Sequence, residues 1–291
     1  MTKLRAALTQ TVSRPIRGLP PERIREANLD HHVRLIEKAR KAGARMICLG
    51  ELFPAPYFAL EKDEKWLAFA EDAADGPSVS RMRETARRLG MVVVAPIFEL
   101  ERRTGRRYNT AVVVDERGEV LGKYRKLHIP CGKNEQGEFA ETFYYGRGDS
   151  EPYFPVFKTS FGTIGVAICY DRHFEGVVRR LRENGARLIF SPAVTFGAKS
   201  RRMWEMEFLV DACRHRVFIG GSNRLGAEKP WGQRFFGASY FAGPDGEKLK
   251  NLSRDPSLVV AELDLALLER PDPSGWDLRR DERPDLTDPR R

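Results

Sequence analysis

The apolar positions of this chain alternate between two periods. KLRAALTQ, from Lys3, reads as a short buried strand, and a helix then runs from about Pro21 to Ala42. Its apolar residues Ile24, Ala27, Leu29, Val33, Ile36 and Ala39 recur near helical spacing, Pro20-Pro21 suits its start, and Gly43 is a natural stop. RMICLG (Arg45 to Gly50) follows as a strand that ends on Glu51. Helices are predicted over Leu60 to Ala70 and Ser78 to Leu89, with Gly90 closing the second, and MVVVAPIFEL (Met91 to Leu100) is again a strand. Tyr108 to Asp115 and Val120 to Leu127 form a hairpin across Glu116-Arg117-Gly118. Pro130 to Gly148 is polar and Gly-rich, a loop of a length that usually carries function.

The second half repeats the alternation. Strands are predicted at Pro155 to Lys158, Thr163 to Cys169, Leu188 to Pro192, Phe218 to Ser222, Ser239 to Ala242 and Leu258 to Leu263. Helices fall at Glu175 to Asn184 and Arg201 to His215. Strands alternating with helices, with hairpins between them, imply an α/β protein with a mixed sheet. One domain over residues 1–270 accounts for this pattern. The tail from Pro271 to Arg291, rich in Pro, Asp and Arg, is expected to be an extended arm or disordered.

Composition narrows the function classes. The formal charge of +9 comes from short basic clusters, such as Arg102-Arg103, Arg106-Arg107, Arg201-Arg202 and Arg290-Arg291, most of them near acidic residues. A nucleic-acid binder would gather its charge on one stripe with aromatics interleaved, and no such stripe is visible. Cys48, Cys131, Cys169 and Cys213 form no C-x-x-C pair, which removes zinc-ribbon and thioredoxin readings and favours reduced thiols. No signal-peptide run and no apolar stretch of membrane-spanning length is present. The expectation is a cytoplasmic enzyme with a small-molecule substrate, and no nucleic-acid or membrane partner.

Three residues stand where chemistry would need them. Cys169 ends an apolar strand and precedes Tyr170-Asp171-Arg172-His173 and a helix. Such a corner exposes a side chain and offers backbone N–H groups to an oxyanion, although taken alone a cysteine there is more often a buried structural residue. Glu51 closes a buried strand, either as a partly buried base or as a solvated strand end. In Tyr124-Arg125-Lys126-Leu127-His128, alternation puts Tyr124, Lys126 and His128 on one face. Lys126 there is an inner-face ammonium that needs partners or a guard on an edge strand. His128 and His173 fit packing or hydrogen-bonding roles.

Taken together, GELFP at 50–54, KYRKLHIP at 123–130 and ICYDRHF at 168–174 resemble the three motif blocks of the nitrilase superfamily, in that order. The resemblance implies a four-layer αββα sandwich that commonly pairs across subunits into a homodimer or higher homo-oligomer. It also implies a cysteine-dependent amidohydrolase, with no metal or cofactor, in which Glu51 is the general base, Lys126 stabilises the transition state and Cys169 is the nucleophile. RKLHIP, FAETFYYGRGD (139–149), CYDRH, SPAVTFGAKSRRMW (191–204) and FGASYFAGPDGE (236–247) are most similar to the N-carbamoyl amino acid amidohydrolases, the β-ureidopropionase group above all. That likeness places the family's second glutamate on Glu141, with Glu135 and Glu138 as competitors in a segment longer than the family pattern. It assigns Arg172 to a substrate carboxylate and the Tyr170 backbone N–H to the oxyanion; Arg172 could instead pair with Asp171 or Glu175. The expected substrate is an N-carbamoyl amino acid, N-carbamoyl-β-alanine in particular. N-carbamoyl-D-amino acids, carbamoylputrescine, simple amides or nitriles are alternatives, and a catalytically silent binding module of the same fold is a reading from a different class.

Overall fold

Strand pairing explains the alternation along the chain. In the computed structural model, which describes residues 3–14, 18–149, 151–278, 280–283 and 285, β1 (Lys3–Thr9), β2 (Met46–Cys48) and β3 (Val92–Leu100) run parallel. β4 (Arg107–Val114) and β5 (Val120–Arg125) extend them as an antiparallel meander. A hairpin of β6 (Cys131–Asn134) and β7 (Gly137–Ala140) follows. β8 (Val156–Thr159) pairs antiparallel with β9 (Gly162–Val166), and β9, β10 (Leu188–Pro192) and β11 (Phe218–Ser222) are parallel. A further hairpin, β12 (Leu225–Glu228) with β13 (Gln233–Phe236), leads to β14 (Tyr240–Ala242) beside β11, and β15 (Leu258–Asp264) returns to pair with β1. The result is a six-stranded sheet, β15-β1-β2-β3-β4-β5, and a five-stranded sheet, β14-β11-β10-β9-β8.

Helices supply the crossovers that parallel strands require. α1 (Pro21–Lys41) and α2 (Pro77–Leu89) serve the first sheet, and α3 (Glu175–Glu183) and α4 (Ala198–His215) serve the second. Side-chain alternation along β1 defines the layers. Leu4, Ala6 and Leu8 pack with Ile189, Phe190 and Phe241 between the sheets, whereas Ala7 packs with Leu29, Ile36, Met82 and Ala86 of α1 and α2. Val177 and Leu181 of α3 and Trp204 and Phe208 of α4 close the opposite face. The fold is the expected αββα sandwich.

Several sequence expectations are corrected. Residues 60–70 are not one helix but two 3-10 segments, Phe58–Leu60 and Glu64–Phe69. The Asp63 side chain caps the second by accepting from Lys65 N, and its buried residues, Trp66 and Phe69, stand three apart, which matches three residues per turn. The 163–169 strand stops at Val166, and Cys169 opens a 3-10 segment, Cys169–His173. The 130–148 loop holds the β6–β7 hairpin and a 3-10 turn at Glu141–Phe143. The β12–β13 hairpin was not anticipated. The described part of the tail holds short turns and is tied to the domain by Arg216–Asp272 (3.5 Å) and Arg179–Glu282 (3.6 Å). Arg290-Arg291 lie outside the described residues. Among the described residues no helix is long and apolar enough to cross a membrane.

β11 packs closely against the first sheet on one face and α4 on the other because Gly220 and Gly221 lack side chains. A Cβ on Gly220 would stand 2.6 Å from the Phe241 ring, and one on Gly221 would stand 2.4 Å from Phe208 and 2.8 Å from Trp204. These rings are fully buried and have nowhere to go. Gly221→Ala should therefore lower the unfolding free energy by about 1–3 kcal/mol through overpacking, measured by urea denaturation; an unchanged midpoint would show that α4 can shift outward.

Candidate active site

The carboxyl ends of strands from both sheets meet at one edge of the sandwich, the usual place for a site in parallel α/β architecture. Glu51 follows β2, Lys126 follows β5, and the Cys169 corner follows β9. β4 reverses the chain and β5 reverses it again, so Lys126 arrives at the same edge as Glu51. Glu141 is delivered by the 3-10 turn after the β6–β7 hairpin.

Burial makes these side chains interdependent. Lys126 Nζ donates to Glu51 Oε1 at 2.8 Å and to Glu141 Oε2 at 2.7 Å, with all three residues buried. Asn109 Nδ2 also donates to Glu51 Oε1 (2.7 Å), Val194 N donates to Glu51 Oε2 (2.7 Å), and the Tyr57 hydroxyl donates to Glu141 Oε1 (2.9 Å). Burial opposes the charge on Lys126, but the two carboxylates outweigh it and raise its pKa. Glu141 is pushed up by burial and by Glu51, with Lys126 pulling the other way. The competitors of Glu141 lie outside this cluster: Glu135 accepts from Ala198 N, and Glu138 is exposed beside Lys133.

Cys169 adopts φ +50°, in the left-handed region that non-glycine residues rarely enter. Its thiol is pushed up to about 12, by burial first and then by Glu51, against the pull of Lys126 and Arg172. The resting group at neutral pH is therefore a thiol. Asp171 holds the corner in place: its carboxylate accepts from Tyr124 OH (2.7 Å), Ile168 N (3.2 Å) and His128 N (2.9 Å), and His128 Nδ1 lies 2.7 Å away. Tyr124 and His128, predicted on one face with Lys126, thus converge on the residue two positions after Cys169. The Tyr170 N–H belongs to the first turn of the 3-10 segment, where backbone donors have no intrahelical acceptor.

A cavity of about 560 Å³ opens over this group, lined among others by Tyr57, Phe139, Glu141, Cys169, Tyr170 and Arg172. Arg172 does reach the cavity, but its guanidinium is already engaged. Nη1 donates to Cys169 O (2.7 Å), Nη2 to Thr195 Oγ1 (3.4 Å), Nε lies 3.2 Å from Glu207 Oε2, and the group sits over the Trp204 ring. Its carboxylate partner is Glu207, which also binds His173 at 2.6 Å, and neither Asp171 nor Glu175 takes that place. Lys133 and Lys199 line the same cavity, and Glu141, tied to Lys126, is the one carboxylate among the described lining residues.

Sequence reasoning missed Tyr57, Asn109 and Val194, and gave Glu207 and Asn223 no role. Asn223 accepts from Thr195 N (2.9 Å) and donates to Thr195 O (3.1 Å), fixing the segment that presents Val194 N to Glu51. No local pattern marks these residues, because each acts through a partner distant in sequence.

Residues 6–270 match the carbon-nitrogen hydrolase family. The chain is 36% identical to the β-ureidopropionase of Arabidopsis thaliana over 80% of its own length and 59% of that protein's. It is 34% identical to the N-carbamoylputrescine amidase of Oryza sativa subsp. japonica over 90% of its own length and 89% of that protein's. A mutant of the amidase from Nesterenkonia sp. AN1, with the acetamide moiety of fluoroacetamide added covalently at its active-site cysteine, superposes with TM-score 0.75 at 26% identity, covering 98% of this chain and 95% of that one. An αββα sandwich with an acid–lysine–acid cluster beside a cornered cysteine defines a nitrilase-superfamily hydrolase. The chain belongs to the carbon-nitrogen hydrolase family.

Removing the cation should expose the cost of the cluster. Lys126→Met leaves two buried carboxylates facing each other, and a loss of about 3–5 kcal/mol in unfolding free energy is expected at neutral pH. Glu141, already pushed up by burial and by Glu51 and now without Lys126 to oppose them, is destabilising when charged, so the deficit should shrink as pH falls and Glu141 is protonated. Urea titrations of wild type and variant at several pH values measure it, and a deficit independent of pH would refute the charge argument.

Proposed function

We propose that the protein hydrolyses N-carbamoyl amino acids, with N-carbamoyl-β-alanine as the favoured substrate. The observation that carries the substrate class is the charge of the cavity wall: Lys133 and Lys199 line it, and the one described carboxylate there is held by Lys126. That wall suits a tail ending in a carboxylate and disfavours a tail ending in an ammonium, as in carbamoylputrescine. Arg172, neutralised by Glu207 and bonded to the carbonyl of Cys169, supports the corner on this reading, and the two lysines meet the acid.

In the reaction Glu51 accepts the thiol proton as Cys169 Sγ attacks the carbamoyl carbon. A base is needed because the thiol, at about 12, is protonated at neutral pH. Lys126 has three N–H donors, two of them on Glu51 and Glu141. The third, with the Tyr170 N–H, stabilises the oxyanion. The tetrahedral species collapses by breaking the bond to the terminal nitrogen, and Glu51 returns the proton to the departing ammonia. Water then attacks the S-linked thiocarbamate, with Glu51 again taking the proton and Glu141 and Tyr57 edging the pocket where it approaches. The sulfur leaves and takes that proton back from Glu51, restoring the thiol, and the carbamic acid loses carbon dioxide to give the free amino acid. The covalent adduct on the active-site cysteine of the Nesterenkonia amidase supports the nucleophile.

Cys169→Ala should abolish ammonia release, and Glu51→Gln should lower kcat by at least about 100-fold, the scale of general-base catalysis. Full turnover by either variant would dismiss this mechanism.

The substrate assignment has its own test. N-carbamoyl-β-alanine should exceed N-carbamoylputrescine in kcat/KM, and the double variant Lys133→Gln/Lys199→Gln should lose about tenfold on the acid alone, as expected for charged hydrogen bonds. Preference for the amine, or equal losses on both, would move the reading to carbamoylputrescine hydrolysis.

A further inference from the structure

The segment that carries Glu51 and Tyr57 turns sharply after β2. Leu52 sits at φ +52°, an unfavourable backbone for a leucine. Its surroundings must therefore impose the turn. One side chain from the other sheet does so: Arg224, just beyond β11, donates from Nη2 to the carbonyls of Glu51 (3.1 Å), Leu52 (3.2 Å) and Ala55 (2.9 Å). A guanidinium nitrogen has two hydrogens, so three carbonyls converge on one donor group. Its Nη1 binds the carboxylate of Glu228, at the end of β12. Glu228 in turn accepts from Tyr57 N through Oε1 (2.7 Å) and from Ser13 N through Oε2 (2.6 Å). Both side chains are buried.

We infer that Arg224 and Glu228 are positioning residues for the reaction: together they grip both ends of the 51–57 segment and so set where the Glu51 carboxylate and the Tyr57 hydroxyl stand. Neither side chain lines the cavity or bonds to Cys169, and the pair acts through Glu51 and Tyr57. A buried ion pair contributes little net stability compared with apolar packing, but it fixes geometry through its hydrogen-bond directions. Residues 49–57 are tied elsewhere by Leu49 N to Val94 O, Gly50 N to Thr9 Oγ1, Phe53 N to Pro96 O and Asn28 Nδ2 to Pro54 O, and the pair adds the anchors at Glu51, Leu52, Ala55 and Tyr57.

The inference rests on Glu51 acting as the base, and the test separates the two. Wild type, Glu51→Gln, Glu228→Gln and Arg224→Lys are compared by kcat and KM on N-carbamoyl-β-alanine. Peptide-resolved iodoacetamide labelling of Cys169 across pH gives a substrate-independent readout. Glu228→Gln keeps the shape and loses the charge; it should fold, with kcat down at least about tenfold and KM within about twofold, and Arg224→Lys should lose more. Because Glu51 raises the Cys169 pKa, displacing its carboxylate should move the labelling profile to lower pH in both variants, as in Glu51→Gln. A control, Val260→Ala in β15, matches the loss of melting temperature away from the site.

If Glu51→Gln is inactive while both clamp variants keep wild-type kcat and labelling, the inference fails and the base assignment stands. If Glu51→Gln itself is fully active, the base assignment fails and takes the inference with it. Losses no greater than those of Val260→Ala, or failure of both clamp variants to fold, would make the pair a determinant of folding and overturn the positioning role.

Discussion

A single ammonium, Lys126 Nζ, holds the site together. It lies in full burial between Glu51 and Glu141 and donates to both. The three groups come from three distant parts of the chain: one from the end of a central strand, one from the end of a meander, one from the turn after a hairpin. Each must be placed to within hydrogen-bond tolerance, so the αββα frame serves mainly as a means of bringing strand ends from two sheets to a common edge. The price of that burial is a network in which every oxygen of Glu51 already has a partner, so the carboxylate has little freedom to reorient.

The second sheet contributes rigidity of another kind. Asp171 binds the backbone before Cys169 and, through Tyr124 and His128, both sides of Lys126 along the chain. The cysteine corner and the lysine strand end therefore share one carboxylate, and a shift of either carries the other with it. Phe174 stacks on the His128 ring with centroids 3.6 Å apart, which shields one flank of this link. Coupling of this sort works through discrete hydrogen bonds between packed elements, and it needs no motion to operate.

Much of this was legible in the sequence, and the reason is physical. Long periodic segments such as α1, β3 and β4 declare themselves because one face must be buried. Glu51, Lys126 and Cys169 were found because each ends such a segment inside a recognisable motif block. The family likeness pointed to Glu141 over Glu135 and Glu138, and of the three it alone enters the buried cluster. What stayed hidden depends on pairing across the chain. Arg224 and Glu228 bracket β12, which has little apolar periodicity, and they bond to carbonyls and an N–H about 170 residues upstream in sequence. Arg172 was read from its place beside the nucleophile, but only the fold reveals that Glu207 and the Cys169 carbonyl already claim its guanidinium. The 3-10 segments at 58–69 were taken for a helix because a period of three resembles 3.6 over so short a stretch.

The left-handed backbone at Cys169 limits which atoms this corner could ever present. At φ near +50° a side chain with one substituent on Cβ clears the neighbouring carbonyl, whereas a second substituent on the same carbon collides with it. Serine could occupy the position without disturbing the chain, but threonine could not. An oxygen nucleophile is therefore open to this scaffold only in its primary-alcohol form, and a branched one would first have to unwind the turn that aims it.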